Sequence, residues 1–298
     1  MGRFLSCDGG GSVAGTTKPH RRLLTVSDVV ILCEDLWHIY PGNVVALREA
    51  NLEIRRGEVV GVIGQNGSGK TTLVKHFNGL LKPSRGRVVV NGVDTATESV
   101  NALSRHVGYV FQNPNHQLFA KTVEEELAFG PTNLGLSPTE VAERVKGAIA
   151  FFNLEPYREM HPYRISFPLR KVVAMASIYA MRPQVFVLDE PTTGQDHVGV
   201  TIIYNLIRRL KEDGATVVIV SHDMPLIARA AERVIVLWNT QIIGDATPRE
   251  IFADDALMQK TNLHPPQITE LSRRLQHPAL PKVALSVEEL AGPLANLL

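Results

Sequence analysis

Residues 64–72, Gly64-Gln65-Asn66-Gly67-Ser68-Gly69-Lys70-Thr71-Thr72, follow the apolar run Val59-Val60-Gly61-Val62-Ile63 and lead into Leu73-Val74-Lys75-His76-Phe77. The run reads as a buried strand and the segment after Lys70 as a helix. Glycines between the two let successive backbone N–H groups turn inward around an anion, and the helix aims its positive N-terminal end at the same point. In that setting Gly64, Asn66, Gly67, Ser68, Gly69 and Thr72 line a phosphate cradle. Lys70 reaches the β- and γ-phosphates of a nucleotide, and Thr71 ligates Mg²⁺. A simple glycine-rich turn would explain neither the Lys-Thr-Thr ending nor the strand in front of it.

The composition of the 298-residue chain, 44% hydrophobic and 20% charged, is that of a globular protein able to bury a large core. A net charge of +1 leaves no footprint for a polyanion, so a nucleic-acid partner is not expected. The basic cluster Lys18, His20, Arg21 and Arg22 reads as a solvated tail rather than a binding patch. Cys7 and Cys33 stand outside any CxxC or Cys/His spacing, which points to neither a disulfide framework nor a structural zinc site and fits a reducing compartment. Residues 1–28, with Gly9-Gly10-Gly11-Ser12, lack the apolar core of a signal peptide and read as a flexible N-terminal extension. No apolar run reaches the length of about eighteen residues that a membrane span requires. A membrane role would have to come through a partner.

Strand-like segments occupy Val29 to Arg56, broken by the turn Pro41-Gly42-Asn43, and a further strand over 86–93 closes on Asn91-Gly92. From about Thr122 to Ala180 apolar residues recur at helical spacing, which marks a helical insertion. Val185-Phe186-Val187-Leu188 and Thr216-Val217-Val218-Ile219-Val220 are continuous apolar runs of the kind that form central parallel strands, with a helix over 198–212 between them. Gln241 to Gly244 reads as a short strand, followed by a polar, proline-containing tail.

Leu188-Asp189-Glu190 ends its strand at the edge where open parallel sheets bind ligands. Asp189 is placed to hold the metal, and Glu190 to polarise an attacking water, which hydrolysis requires and nucleotide binding alone does not. His222 follows the next core strand, where it can hydrogen-bond the γ-phosphate and hold Glu190 and the water. Gln112, after Tyr109-Val110-Phe111, stands where the β-rich part meets the helical insertion, and its amide can contact Mg²⁺ or water.

Taken together these residues resemble the ATP-binding cassette (ABC) ATPases over about Val29 to Asp245. The family order is an aromatic residue, the phosphate loop, a glutamine loop, a signature, an acidic strand end, Pro-Thr-Thr-Gly-x-Asp and a histidine. Tyr40, residues 64–71, Gln112, residues 165–169, Asp189-Glu190, residues 191–196 and His222 fill it. The resemblance implies an α/β P-loop NTPase fold with a parallel core sheet, an antiparallel β subdomain and a helical subdomain at about 113–180. The cassette would span 29–245, with a small C-terminal helical extension over 246–298. ATP and Mg²⁺ are the implied cofactors, with Tyr40 stacked on adenine.

Phe111-Gln112-Asn113-Pro114-Asn115-His116-Gln117-Leu118-Phe119, His161-Pro162-Tyr163 and Leu263-His264-Pro265-Pro266-Gln267-Ile268-Thr269-Glu270-Leu271 are similar to the energy-coupling-factor (ECF) transporter ATPases. That similarity implies ATP hydrolysis driving uptake of a vitamin or a transition-metal ion at the cytoplasmic face of the cell membrane. A transmembrane coupling protein and a substrate-binding membrane protein would be partners. The groove around Gln112 to Phe119 would receive the coupling helices.

The family signature, Leu-Ser-Gly-Gly-Gln, opens a helix that clamps the γ-phosphate of ATP held on the opposite subunit, and this chain has Ile165-Ser166-Phe167-Pro168-Leu169. A proline in the first helical turn is sterically acceptable and Ser166 can cap it, so the helix should form. The phosphate contact should suffer, because Phe167 adds bulk and Pro168 lacks an N–H donor. By analogy with an oxyanion hole, one lost donor costs about 2.7–4 kcal/mol. Gln195, where the family usually has leucine, is a milder departure because Asp196 remains. A heterodimer would contain one damaged site and a homodimer two, so a second cassette subunit with an intact signature is the expected partner. The competing expectation is a nucleotide-binding regulatory or structural subunit with little turnover of its own, against which stand the intact Glu190 and His222. A soluble cassette acting on ribosomes or DNA is disfavoured by the single cassette and the near-neutral charge.

Overall fold

The computed structural model describes residues 28–297; residues 1–27 of the expected N-terminal extension, Cys7 and the basic cluster among them, lie outside the described residues. The chain opens with two antiparallel strands, β1 (Val29–Tyr40) and β2 (Val44–Arg55), joined through Pro41-Gly42-Asn43. It then enters the buried strand β3 (Val59–Gly64) and helix α1 (Lys70–Phe77). Strands β4 (Arg85–Val90) and β5 (Val93–Asp94) form a hairpin whose turn residues Asn91 and Gly92 both have positive φ, the backbone that an Asn-Gly hairpin turn favours. These strands add to the first pair, giving a four-stranded antiparallel sheet in the order β2-β1-β4-β5.

After the one-turn α2 (Val100–Leu103) comes β6 (Val107–Val110), and the chain leaves the sheet for α3 (Val123–Asn133), α4 (Pro138–Phe151) and α5 (Phe167–Met181). The starts of α3 and α4 are locally encoded. Thr122 caps α3 by accepting the Glu125 N–H, and Ser137 and Glu140 form a reciprocal capping box on α4. The chain returns through β7 (Val185–Asp189), α6 (His197–Glu212), β8 (Thr216–Val220), α7 (Met224–Ala230), β9 (Arg233–Trp238) and β10 (Gln241–Ala246). The second sheet has the order β10-β9-β3-β8-β7-β6, parallel except for the β10 edge. Four short helices follow: α8 (Pro248–Ala253), α9 (Asp255–Thr261), α10 (Gln267–Leu275) and α11 (Val287–Ala295).

The period-two pleat divides the parallel strands between two cores. Val59, Ile63, Phe186, Leu188, Val217 and Ile219 pack against α5 to α8 on one face, while Val60, Val62, Val185, Val187, Val218 and Val220 pack on α1 and the antiparallel sheet on the other. Both faces are covered, which explains the unbroken apolar runs. The carboxyl ends of β3, β8, β7 and β6 therefore lie side by side, and each strand leads there into a segment singled out by the sequence.

Beneath α1, buried His76 donates from Nδ1 to the Thr72 carbonyl at 2.7 Å, and its Nε2 lies 3.2 Å from Nδ1 of His38 on β1. Burial chiefly, with a smaller contribution from His38 and against the Thr72 hydrogen bond, pushes the His76 imidazole down from 6.5 to about 4. Between pH 6.5 and 4 the unfolded chain takes up a proton that the folded chain refuses. Stability is therefore full above about pH 6.5 and falls by about 3 kcal/mol on reaching pH 4. Urea unfolding across this range should show that acid limb in the wild type, and His76→Leu should flatten it.

Candidate nucleotide site

The loop from Gly64 to Gly69 folds around its own backbone. Gly64 and Gly69 have φ of +150° and +105°, and a Cβ on them would come within 2.2 Å of the Leu237 carbonyl and 2.4 Å of the Ala46 carbonyl. Only glycine fits either position. Gly69 also forms the N-cap of α1, so the helix starts at Lys70. Lys70 is buried, and its Nζ donates to the carbonyls of Gly64 at 2.7 Å and Gln65 at 2.9 Å. Burial holds its pKa below the usual lysine value, with Glu190 and Asp189 opposing the shift. Ser68 Oγ is buried without a hydrogen-bond partner among the described residues, whereas Asn66 and Gly67 are exposed.

Asp189, at the end of β7, accepts from Thr71 Oγ1 at 3.3 Å on one carboxylate oxygen and from Tyr109 OH at 2.7 Å on the other. Burial raises its pKa and the two hydroxyls oppose the rise. In the sequence Tyr109 reads only as an apolar strand position; the hydrogen bond spans 80 residues and has no local signature.

Glu190 follows with φ of +51°, a left-handed backbone that costs a non-glycine residue about 1–2 kcal/mol. Its N–H donates to the Val220 carbonyl at 2.8 Å, which ties it to β8, and its Oε2 accepts the His222 N–H at 3.3 Å. Nε2 of His222 lies 3.3 Å from Oε1 without hydrogen-bond alignment, leaving Oε1 buried and unpartnered among the described residues. Burial raises the Glu190 pKa, opposed first by the His222 amide. The His222 imidazole is pushed below its usual value by partial burial and by Lys70.

Lys70, Thr71, Asp189, Glu190 and His222 thus converge at one sheet edge. Tyr40 stands beside them, more than a third exposed, with its hydroxyl 3.3 Å from Thr72 Oγ1 and its ring edge-on to His38. Gln112 does not join: it is exposed and hydrogen-bonds neither Thr71 nor Asp189. Ser166 lies apart, on α5. It occupies the N-cap position, but the expected side-chain cap is not made; only its carbonyl engages the helix, accepting the Arg170 N–H at 2.9 Å.

Around Ser166 the two departures from the family pattern meet. Gln195 Nε2 donates to the Pro168 carbonyl at 3.0 Å, and the Phe167 ring packs on Gly194, 3.5 Å from where a Cβ would stand. Gln195 is therefore a bonded partner of the altered signature rather than an independent, milder change.

The ABC transporter family model matches residues 47–193. The energy-coupling factor transporter ATP-binding protein EcfA of Methanothermobacter thermautotrophicus is 43% identical over 272 residues, covering 90% of this chain and 88% of the relative. The chain belongs to the ABC transporter ATPases. EcfA of Methanocaldococcus jannaschii is 40% identical, over 81% of the cassette chain and 88% of its own length. A longer ABC transporter ATP-binding protein from Caldanaerobacter subterraneus is 43% identical, and the cassette spans 46% of it. Among solved structures, a CbiO1 subunit from Clostridium perfringens, described as part of the cbiONQ transporter complex, superposes with a TM-score of 0.69 at 35% identity, covering 82% of this chain and 98% of that one. A dimeric cassette in a post-hydrolysis state with ADP and Pi gives 0.67 at 27% identity, covering 74% and 99%. The cassette is an ATPase of this family, and its fold is that of the P-loop cassettes.

Proposed function

We propose that this ATPase is one of two unlike cassettes that power an ECF-type importer of a vitamin or transition-metal ion, docked on membrane subunits at the cytoplasmic face of the cell membrane. The observation that carries the reading is the convergence of Lys70, Thr71, Asp189, Glu190 and His222 at the carboxyl ends of adjacent parallel strands. ATP would lie with adenine on Tyr40 and its phosphates in the Gly64–Gly69 loop and at Thr72, where Lys70 would exchange loop carbonyls for phosphate oxygens. The hard oxygens of Thr71 and Asp189 suit Mg²⁺, which prefers one or two carboxylates completed by phosphates; Gln112 would join only by moving from its exposed position. When bound, Mg²⁺ neutralises charge on the phosphates. The unpartnered, buried Oε1 of Glu190 suits an incoming water, whose proton Glu190 accepts while His222 holds its geometry.

The membrane side of the reading rests on a cleft of about 340 Å³ lined by Leu80, Phe111, His116, Phe119, Phe129 and Met181. Phe119 and Phe129 are 60% and 48% exposed and meet edge to face at 4.6 Å, an apolar pair suited to a partner's helix. The cleft's wall is held firmly. Gln117 Nε2 donates to the Ala174 carbonyl and Ser177 Oγ of α5, and Glu126 accepts the N–H groups of Phe119 and Ala120. No helix among the described residues is long and apolar enough to cross a membrane.

Affinity purification of the full chain from its own membranes tests this. Expected are a second cassette bearing Ser-Gly-Gly and at least one integral membrane protein; a homodimer with brisk, cooperative ATPase activity would overturn it.

A further inference from the structure

Lysine is rarely buried unless its charge is satisfied, yet Lys171 on α5 is fully buried between Arg170 and the apolar run Val172-Val173-Ala174-Met175-Ala176. Its Nζ donates to the carbonyl of Glu190 at 2.5 Å and to the carbonyl of Thr193 at 3.0 Å. Desolvation pushes the ammonium down to about 8, against the pull of the Glu190 and Asp189 carboxylates.

Glu190 adopts a backbone conformation that a residue with a side chain rarely holds unaided. Four hydrogen bonds fix it: its N–H to Val220, its Oε2 from the His222 N–H, its carbonyl from Lys171, and the same carbonyl, at 3.4 Å, from the Thr193 N–H. The first two come from β8 and the segment after it. The third alone comes from the helix that carries Ser166. Rotation about the Glu190 N–Cα bond would carry the carboxylate away from His222 and the carbonyl away from Lys171, and Lys171 opposes that rotation while also bridging to Thr193, one turn of chain further on.

We infer that Lys171 is a positioning residue for ATP hydrolysis: through the Glu190 and Thr193 carbonyls it locks the backbone that aims the Glu190 carboxylate, and it joins the hydrolytic loop to the signature helix. The inference rests on the reading of Glu190 as the water-polarising group.

The test compares Lys171→Met, Lys171→Gln and Lys171→Arg in the assembly that co-purifies with the full chain. Loss of a residue that orients another typically costs about 10- to 100-fold in activity. Lys171→Met and Lys171→Gln should lower kcat by about that factor with KM for ATP nearly unchanged, and Lys171→Arg should recover most of it. On a Glu190→Gln background, Lys171→Met should add less than about 2-fold, because both changes act through one group. In the isolated full chain, amide exchange over 190–196 should accelerate about 10-fold or more in Lys171→Met and not in Lys171→Arg, with β3 unaffected. Unchanged kcat and unchanged exchange in a folded Lys171→Met or Lys171→Gln protein overturns the inference, as does a full additional loss in the double variant. A Glu190→Gln protein that keeps its turnover would instead overturn the reading of Glu190.

Discussion

Glu190→Gln is expected to lower ATP turnover by about 10²–10⁴-fold, the range associated with loss of a positioned general base. The substitution isolates the chemistry because it preserves shape: an amide oxygen can still accept the His222 N–H that now reaches Oε2. What disappears is the capacity to take a proton from water. The phosphate loop and the Lys70 contacts lie on β3 and α1, outside the changed side chain, so nucleotide affinity should be held or raised. Phosphate release and equilibrium nucleotide binding in the assembled complex check the two halves separately. A purely regulatory subunit would show neither transport nor turnover altered.

Restoring the signature by the triple substitution Phe167→Gly, Pro168→Gly and Leu169→Gln is expected to raise ATP turnover by the isolated chain about 10²-fold or more. Phe167 is 40% exposed at the head of α5, where close backbone approach to a facing phosphate is needed, and Pro168 contributes no N–H there. Returning an oriented donor to a developing phosphate charge is worth about 10²–10³ in rate by analogy with oxyanion holes. Two glycines in the first turn should weaken the helix by about 1 kcal/mol each, so the melting temperature should drop while the rate climbs. That opposition distinguishes repair of a site from general stabilisation. Phosphate release by the triple variant at the wild-type rate would remove the basis for assigning the slow site to residues 167 and 168.

The parts legible in the sequence are those written locally. Glycine spacing, the Lys-Thr ending and an apolar strand in front suffice for the phosphate loop, and β-branched runs suffice for β3, β7 and β8. Asp189, Glu190 and His222 could be placed because parallel strands bring their carboxyl ends to one edge whatever the intervening chain does. Contacts between distant residues left no such trace. Tyr109 looks like one more apolar strand position until β6 pairs with β7 and its hydroxyl meets Asp189. Lys171 did carry a cue, a charge inside an apolar stripe, but nothing in the chain says that its acceptors are carbonyls 19 and 22 residues on. The hydroxyl of Ser166 departs from expectation for a related reason: residue type suggests a cap, while the rotamer is set by surroundings the sequence does not display.

The hydrogen bond from Gln195 to the Pro168 carbonyl has a historical corollary. The acceptor is a main-chain carbonyl, which any residue at 168 supplies, so glutamine at 195 keeps its partner with or without the proline, whereas Pro168 without Gln195 loses a brace on its turn. The dependence therefore runs one way. Among related chains proline at 168 should occur chiefly where glutamine stands at 195, while glutamine at 195 should also occur without the proline. A lineage that acquires the glutamine first can take on the altered turn, and with it the asymmetry between the two ATP sites, at less cost to the fold.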